Sequence, residues 1–138
     1  MKRITAILLT AFTCLVGTAQ TLTHLPLWNT GQQTFKGDWL IDGTGTQANI
    51  YQTDDGRLVL SNGITARFFS VTPNGATVGL DLLTKKESFI RSVRPEAEIM
   101  IDGMKFSVGG LTGQPVHNYL LPAWLAQMEA DPASFRLV

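Results

Sequence analysis

The sequence has one cysteine, Cys14, and two histidines, His24 and His117. A single thiol excludes a disulfide within the chain. The histidines stand about ninety residues apart with no carboxylate at a recognised ligand spacing, so no metal site is expected. There is no Gly-x-Ser-x-Gly elbow, and no Ser, His and Asp arrangement is singled out as a nucleophilic triad. Gly109-Gly110-Leu111-Thr112-Gly113-Gln114-Pro115 is glycine-rich, but it lacks the Gly-Lys-Ser/Thr ending of a phosphate cradle and reads as a loop, so no cofactor is expected. Basic runs are absent too. With the few charges scattered, neither a nucleic acid nor an anionic membrane surface is an expected partner.

What is present begins with an export signal. Lys2 and Arg3 precede an uncharged, mostly apolar run from Ile4 to Val16, and Gly17 and Ala19 occupy the −3 and −1 sites of a signal-peptidase cut before Gln20. An apolar run of about 13 residues falls short of the roughly 20 needed to span a bilayer. Ala11, Phe12 and Thr13 do not make a lipoprotein box ahead of Cys14. Residues 1–19 are therefore expected to be a cleaved signal peptide, leaving a secreted or periplasmic protein with no membrane anchor. The remaining chain, about 119 residues, has no cysteine and is long enough to bury a core without cross-links. Losing Lys2 and Arg3 leaves nine basic residues against 11 acidic ones, a formal balance of −2.

Between residues 38 and 138 the pattern is that of an antiparallel β-sandwich. Ala76, Val78, Leu80 and Leu82 alternate with Thr77, Gly79 and Asp81, as in a strand with one buried face. Ala97, Ile99 and Ile101 alternate in the same way, as do Met104, Phe106 and Val108. Asp102-Gly103 between these two runs predicts a two-residue hairpin, since both positions tolerate positive φ. Asp54-Asp55-Gly56, Ser61-Asn62-Gly63 and Pro73-Asn74-Gly75 separate strands around 48–52, 57–60, 64–71 and 76–82. The apolar face changes at Phe68-Phe69, which predicts a bulge. With further strands at 39–41 and 88–91, the count is seven or eight in about 70 residues, the spacing of an all-β sandwich or barrel.

Residues 20–37 show no period and are expected to form an irregular lead-in. A short helix is predicted from Leu121 to Met128, with Pro122 in its first turn, Asp131-Pro132 beyond its end, and Leu121, Trp124, Leu125 and Met128 on one face. Phe135 to Val138 reads as a strand that begins without a partner, so the chain is expected to be the front part of a longer polypeptide.

Glycoside hydrolysis needs two carboxylates across a cleft. Glu96 with Glu98, Asp54 with Asp55, and Asp38 with Asp42 are more economically a solvated face or turn chemistry, so no catalytic residue is assigned. The aromatic residues are the one binding clue, because the apolar faces of sugar rings pack well on indole and phenol rings. Among Trp28, Trp39, Tyr51, Tyr119 and Trp124, the two expected to be exposed for carbohydrate contact are Trp28 and Tyr51.

Two stretches carry a family resemblance. One is Asp55-Gly56-Arg57-Leu58-Val59-Leu60-Ser61-Asn62-Gly63-Ile64 with Phe68 and Thr72-Pro73-Asn74-Gly75-Ala76-Thr77-Val78. The other is Arg91-Ser92-Val93-Arg94-Pro95-Glu96-Ala97 with Ile101-Asp102-Gly103, Val108 to Pro115 and Asp131-Pro132. Together they resemble the opening of secreted bacterial α-galactosidase-like (melibiase) glycosidases related to glycoside hydrolase family 36. The resemblance covers roughly residues 38 to 138 and concerns the scaffold. It implies a non-catalytic N-terminal β-sandwich ahead of a (β/α)₈ barrel that carries both catalytic aspartates. No catalytic residue is implied at any position of this sequence. The partners it implies are a barrel in the same polypeptide and a carbohydrate. A stand-alone carbohydrate-binding module and a cell-envelope interaction protein are the competing readings.

Overall fold

The computed structural model describes residues 24–115 and 119–137. The expected signal peptide, Cys14, His117 and the last residue lie outside them. The fold is all-β, with nine strands in antiparallel sheets and two short helices among the described residues.

Strands β1 (Asn49–Gln52), β2 (Leu58–Ser61), β3 (Thr65–Ser70), β4 (Ala76–Leu82) and β5 (Glu87–Ile90) form one five-stranded antiparallel meander in sequence order. The first three reversals fall on the turn residues read from the sequence, and the fourth, between β4 and β5, is a turn over residues 83–86. At the β2–β3 turn, Asn62 Oδ1 accepts hydrogen bonds from Ile64 N and Thr65 N, both at 3.0 Å, replacing the backbone partners that a tight turn leaves unmatched. The expected bulge is present: the β3–β4 register skips between Phe68 and Phe69, whose partners are Gly79 and Thr77. That skip leaves Val78 without a counterpart and aims it, with Ala76, into the core.

One row of residues crosses four strands in register, Tyr51, Val59, Phe68 and Gly79. It links the two halves of the core. Val59, Ala66 and Leu83 are buried beneath Trp28, Tyr51 and Phe68. Ala76, Val78, Val93, Leu111, Leu120 and Met128 form the second cluster, with Phe68, Trp124 and Leu125 packed against it. Phe68 touches both. Full burial of a valine, leucine or phenylalanine side chain contributes about 1.5–3 kcal/mol, and half-buried Phe68 gains part of that on both clusters, fastening the sheet to the segments laid over it.

Beyond the meander, β6 (Ala97–Ile101) and β7 (Met104–Val108) make the predicted hairpin, with positive φ at Asp102 (50°) and Gly103 (78°). Its alternation does not mark a buried face, however. Ile99, Met100, Ile101 and Met104 are all exposed, because the hairpin projects from the sheet and nothing among the described residues covers it. Phe106 does find a partner, the ring of Phe135 at 5.6 Å.

Four further expectations are corrected. Residues 39–41 are not a strand: Asp38 Oδ1 accepts from Leu40 N, and the Asp38 carbonyl accepts from Ile41 N and Asp42 N, so the aspartate coils the segment into a turn. The glycine-rich stretch is not wholly loop, since β8 (Leu111–Thr112) pairs with β9 (Glu129–Ala130). The predicted helix is a 3₁₀ helix, Pro122–Gln127, with no side-chain cap, and Leu121 is exposed while Trp124 and Leu125 reach the core. The lead-in contains a one-turn helix, α1 (Thr30–Gln33). Asn29 caps it by accepting from Gly31 N and Gln32 N, and Gln33 Oε1 accepts from Asn29 N at 2.7 Å in return.

Both described chain ends are tied to the sheet. Trp28 N donates to the Gln52 carbonyl and Gln52 N to the Pro26 carbonyl, which covers the outer edge of β1. At the other end Phe135, expected to lack a partner, bridges Val108. The Asn74 side chain, 1% exposed, holds that segment: its Oδ1 accepts from Leu137 N at 2.9 Å, and its Nδ2 donates to Ser134 Oγ and the Phe135 carbonyl.

Candidate functional site

The two aromatic residues singled out from sequence meet each other. Trp28 and Tyr51 stand edge to face, ring centroids 5.3 Å apart, and Phe68 meets Trp28 at 5.9 Å. Both are half-buried rather than exposed, because β1 places Tyr51 directly across from buried Val59 and the lead-in lays Trp28 beside it. Among the tryptophans and tyrosines, Trp39 (43%) and Tyr119 (59%) are more exposed than either.

Tyr51 nonetheless reaches a cleft. About 400 Å³ of space lies between α1 with the segment after it on one side and β1 with the β2–β3 turn on the other. Gln47, Asn49 and Tyr51 follow one another at two-residue intervals, so β1 and its approach present them on one face. That face runs from the core at Tyr51 to open solvent at Asn49 and Gln47. Gln32, Gln33 and Lys36 supply the opposite wall, and Asn62 and Gly63 line the β1 side from the turn.

The wall is held against the turn by backbone. Phe35 N donates to the Gly63 carbonyl at 2.8 Å, and the Phe35 ring lies on Gly37 and Gly45, where added Cβ atoms would meet it at 2.8 and 3.0 Å. Two glycines thus let one aromatic ring organise the loop that follows α1.

Polar groups in the cleft are largely unspent. Asn49 Nδ2 donates to the Gln47 carbonyl, Gln33 uses its Oε1 on Asn29, and Asn62 uses its Oδ1 on the turn. Among the described residues, no hydrogen bond engages the side-chain amides of Gln32 and Gln47, Nδ2 of Asn62, Oδ1 of Asn49 or the Tyr51 hydroxyl. Lys36 is the one charged lining residue, and no carboxylate lines the cleft. The surface therefore offers neutral donors and acceptors beside aromatic carbon.

Much of the other candidate chemistry is absorbed by the fold. A slot of about 200 Å³ between Arg57 and Arg91 has an apolar floor of Phe68, Val78 and Leu125. Its cations are already paired, Arg57 with Asp55 at 3.0 Å and Arg91 with Asp81 at 2.6 Å. Hydrogen bonding to Asp81 raises the Arg91 guanidinium above its ordinary range against the effect of burial. Burial works to raise the Asp55 carboxyl, but hydrogen bonds from Arg57 and Thr53, together with the Arg57 charge, outweigh it and hold the group below the usual carboxylate range. Asp42 is likewise lowered, by hydrogen bonds from the Thr44 hydroxyl and backbone. Glu96 accepts from Arg67 and from Thr77 N, and Glu98 pairs with Lys105 at 2.7 Å. No group of three or more His, Cys, Asp or Glu side chains converges among the described residues.

No family model, curated protein or solved structure matches the chain. The cleft's chemistry must then be read from its own residues. Of the two residues named from sequence, Tyr51 lines the cleft and Trp28 does not, and the amides were not named, their only signal being the alternation of Gln47, Asn49 and Tyr51.

Proposed function

We propose that the chain is a non-catalytic, glycan-contacting front domain of a secreted α-galactosidase-like glycosidase. One observation carries the reading: the cleft over Tyr51, lined by side-chain amides with unspent hydrogen-bonding capacity and by no carboxylate. Sugar hydroxyls both donate and accept, as amides do, and a phenol ring suits the apolar face of a pyranose. A pair of facing acids, which glycoside hydrolysis requires, is not part of this cleft. The uncovered apolar hairpin β6–β7, with Ile99, Ile101 and Met104 exposed, supports a role beside a further domain that would bury it. The sequence resemblance to α-galactosidase-like enzymes supplies the rest.

Two measurements test this. The reading frame beyond the codon for Val138 should continue into a (β/α)₈ barrel, and a stop codon there refutes the front-domain role. The purified protein should leave a nitrophenyl α-galactoside intact, and measurable turnover overturns the non-catalytic assignment.

A further inference from the structure

The cleft also limits what kind of glycan it takes. Resting on the function proposed above, we infer that it is a calcium-independent binding site for a neutral pyranose unit, gripped by Gln47, Asn49 and Asn62 with Tyr51 beneath. A bound calcium ion needs six to eight oxygen ligands, usually with several carboxylates among them, and none of the lining residues is acidic. Bridging of sugar hydroxyls through a metal is therefore not available to these residues. An acidic sugar or a phosphate calls for paired cations or a guanidinium fork. The cleft has Lys36 alone, on its exposed rim. A neutral polyol is matched on both counts. The Asn62 Nδ2 and the Gln47 amide are donors, the Asn49 Oδ1 is an acceptor, and Tyr51 is held at a fixed tilt by Trp28 from the core side.

The three amide residues differ in what else they do, and this makes the site testable. Gln47 and Asn49 are exposed positions at the start of β1, so alanine there removes cleft groups and little packing. Asn62 holds the turn through its Oδ1. Asn62→Asp keeps that acceptor and removes the Nδ2 donor, so the turn is preserved while the cleft loses a hydrogen bond.

The experiment is NMR or calorimetric titration of the protein with neutral galactomannan oligosaccharides and, separately, with oligogalacturonate, with and without EDTA and across a rise in ionic strength. Neutral oligosaccharide should bind, with affinity unchanged by EDTA or salt and reduced about 3- to 10-fold in Gln47→Ala, Asn49→Ala and Asn62→Asp, the loss expected for one hydrogen bond each. Lys85→Ala, at an exposed turn position outside the cleft, should bind as the parent does. Neutral binding that these variants leave intact overturns the site while the front-domain reading stands. Preference for oligogalacturonate, lost in Lys36→Ala, overturns the neutral class, and loss of binding in EDTA overturns the metal-free mode. If no glycan binds but the reading frame does continue into a barrel, the cleft assignment fails and the front-domain role survives. If neither is found, both fail.

Discussion

Gly56 and Gly63 form a matched pair of left-handed glycines, with φ of 83° and 84°. A Cβ on Gly56 would enter open space. On Gly63 it would come within 2.9 Å of the Gln33 carbonyl oxygen and 3.2 Å of Phe35 N, both backbone atoms that cannot step aside alone. Gly56→Ala should therefore cost only the conformational strain of an L-residue at that φ, about 1–2 kcal/mol. Gly63→Ala carries the same strain and in addition pushes the α1 segment off the turn, losing the hydrogen bond from Phe35 N to the Gly63 carbonyl, worth about 0.5–1.5 kcal/mol. The expected total is about 1.5–3.5 kcal/mol. Urea unfolding followed by circular dichroism measures both. In a domain of this size the added 1 kcal/mol also appears as a further fall of about 3–5 °C in Tm. Because Gly63 and the displaced segment both line the cleft, Gly63→Ala should also weaken glycan binding in the folded protein, which Gly56→Ala should not. Equal destabilisation by the two substitutions would refute the claim that close approach, and not φ alone, fixes glycine at position 63.

Three other outcomes are expected. Asn74→Ala should cost about 2–3 kcal/mol, since it removes partners from a fully buried junction, and amide hydrogen exchange at Leu137 should accelerate; unchanged protection there would contradict the role of Asn74 in holding the segment. Asp81→Ala strips a half-buried Arg91 of its partner and Ser88 of its acceptor, and should lower the urea-derived stability by about 1–3 kcal/mol, against no change if the ion pair is idle. The Asp55 carboxyl is held below its unfolded-state value, so its contribution is fully present above the unfolded pKa and is lost as pH falls through the lowered folded one. Asp55→Asn should accordingly flatten part of the acid limb of the stability–pH curve, and an NMR titration placing Asp55 at or above the ordinary carboxylate range would contradict this.

The strands were legible where local chemistry and tertiary packing agree. The hairpin at Asp102-Gly103, the strand Ala76–Leu82 and the skip at Phe68-Phe69 all follow from period two and from residues that tolerate positive φ. Failures occurred where one side chain outvoted the pattern. Trp39, Leu40 and Ile41 have β propensity, but Asp38 immediately before them offers the backbone a nearer partner than any strand. Leu111–Thr112 was hidden because glycines flank it and its partner, Glu129–Ala130, lies beyond a helix. Two-residue pairing of that kind leaves no period to count. The alternation of β6 was read correctly as a strand and wrongly as burial, since period two says which residues share a face and nothing about what covers it.

The candidate site shows the same division more sharply. Tyr51 was found by its type, yet its role depends on register. Val59 opposite makes its end of β1 a core position, while Gln47 and Asn49, on the same face, pass beyond the end of the sheet's apolar cover and become the lining of the cleft. The far wall comes from a segment whose helix is set by Asn29 and whose position is set by a backbone contact with Gly63. Each of those two devices is local and readable. Their meeting with β1 is not, because it rests on the parallel bridge of Leu27 to Gln52 that brings the lead-in along the sheet edge. An amide-lined cleft thus arises at the one edge of the meander where the chain before it folds back, and it follows that substitutions which loosen the lead-in, such as Gly63→Ala, should damage binding before they damage the sheet.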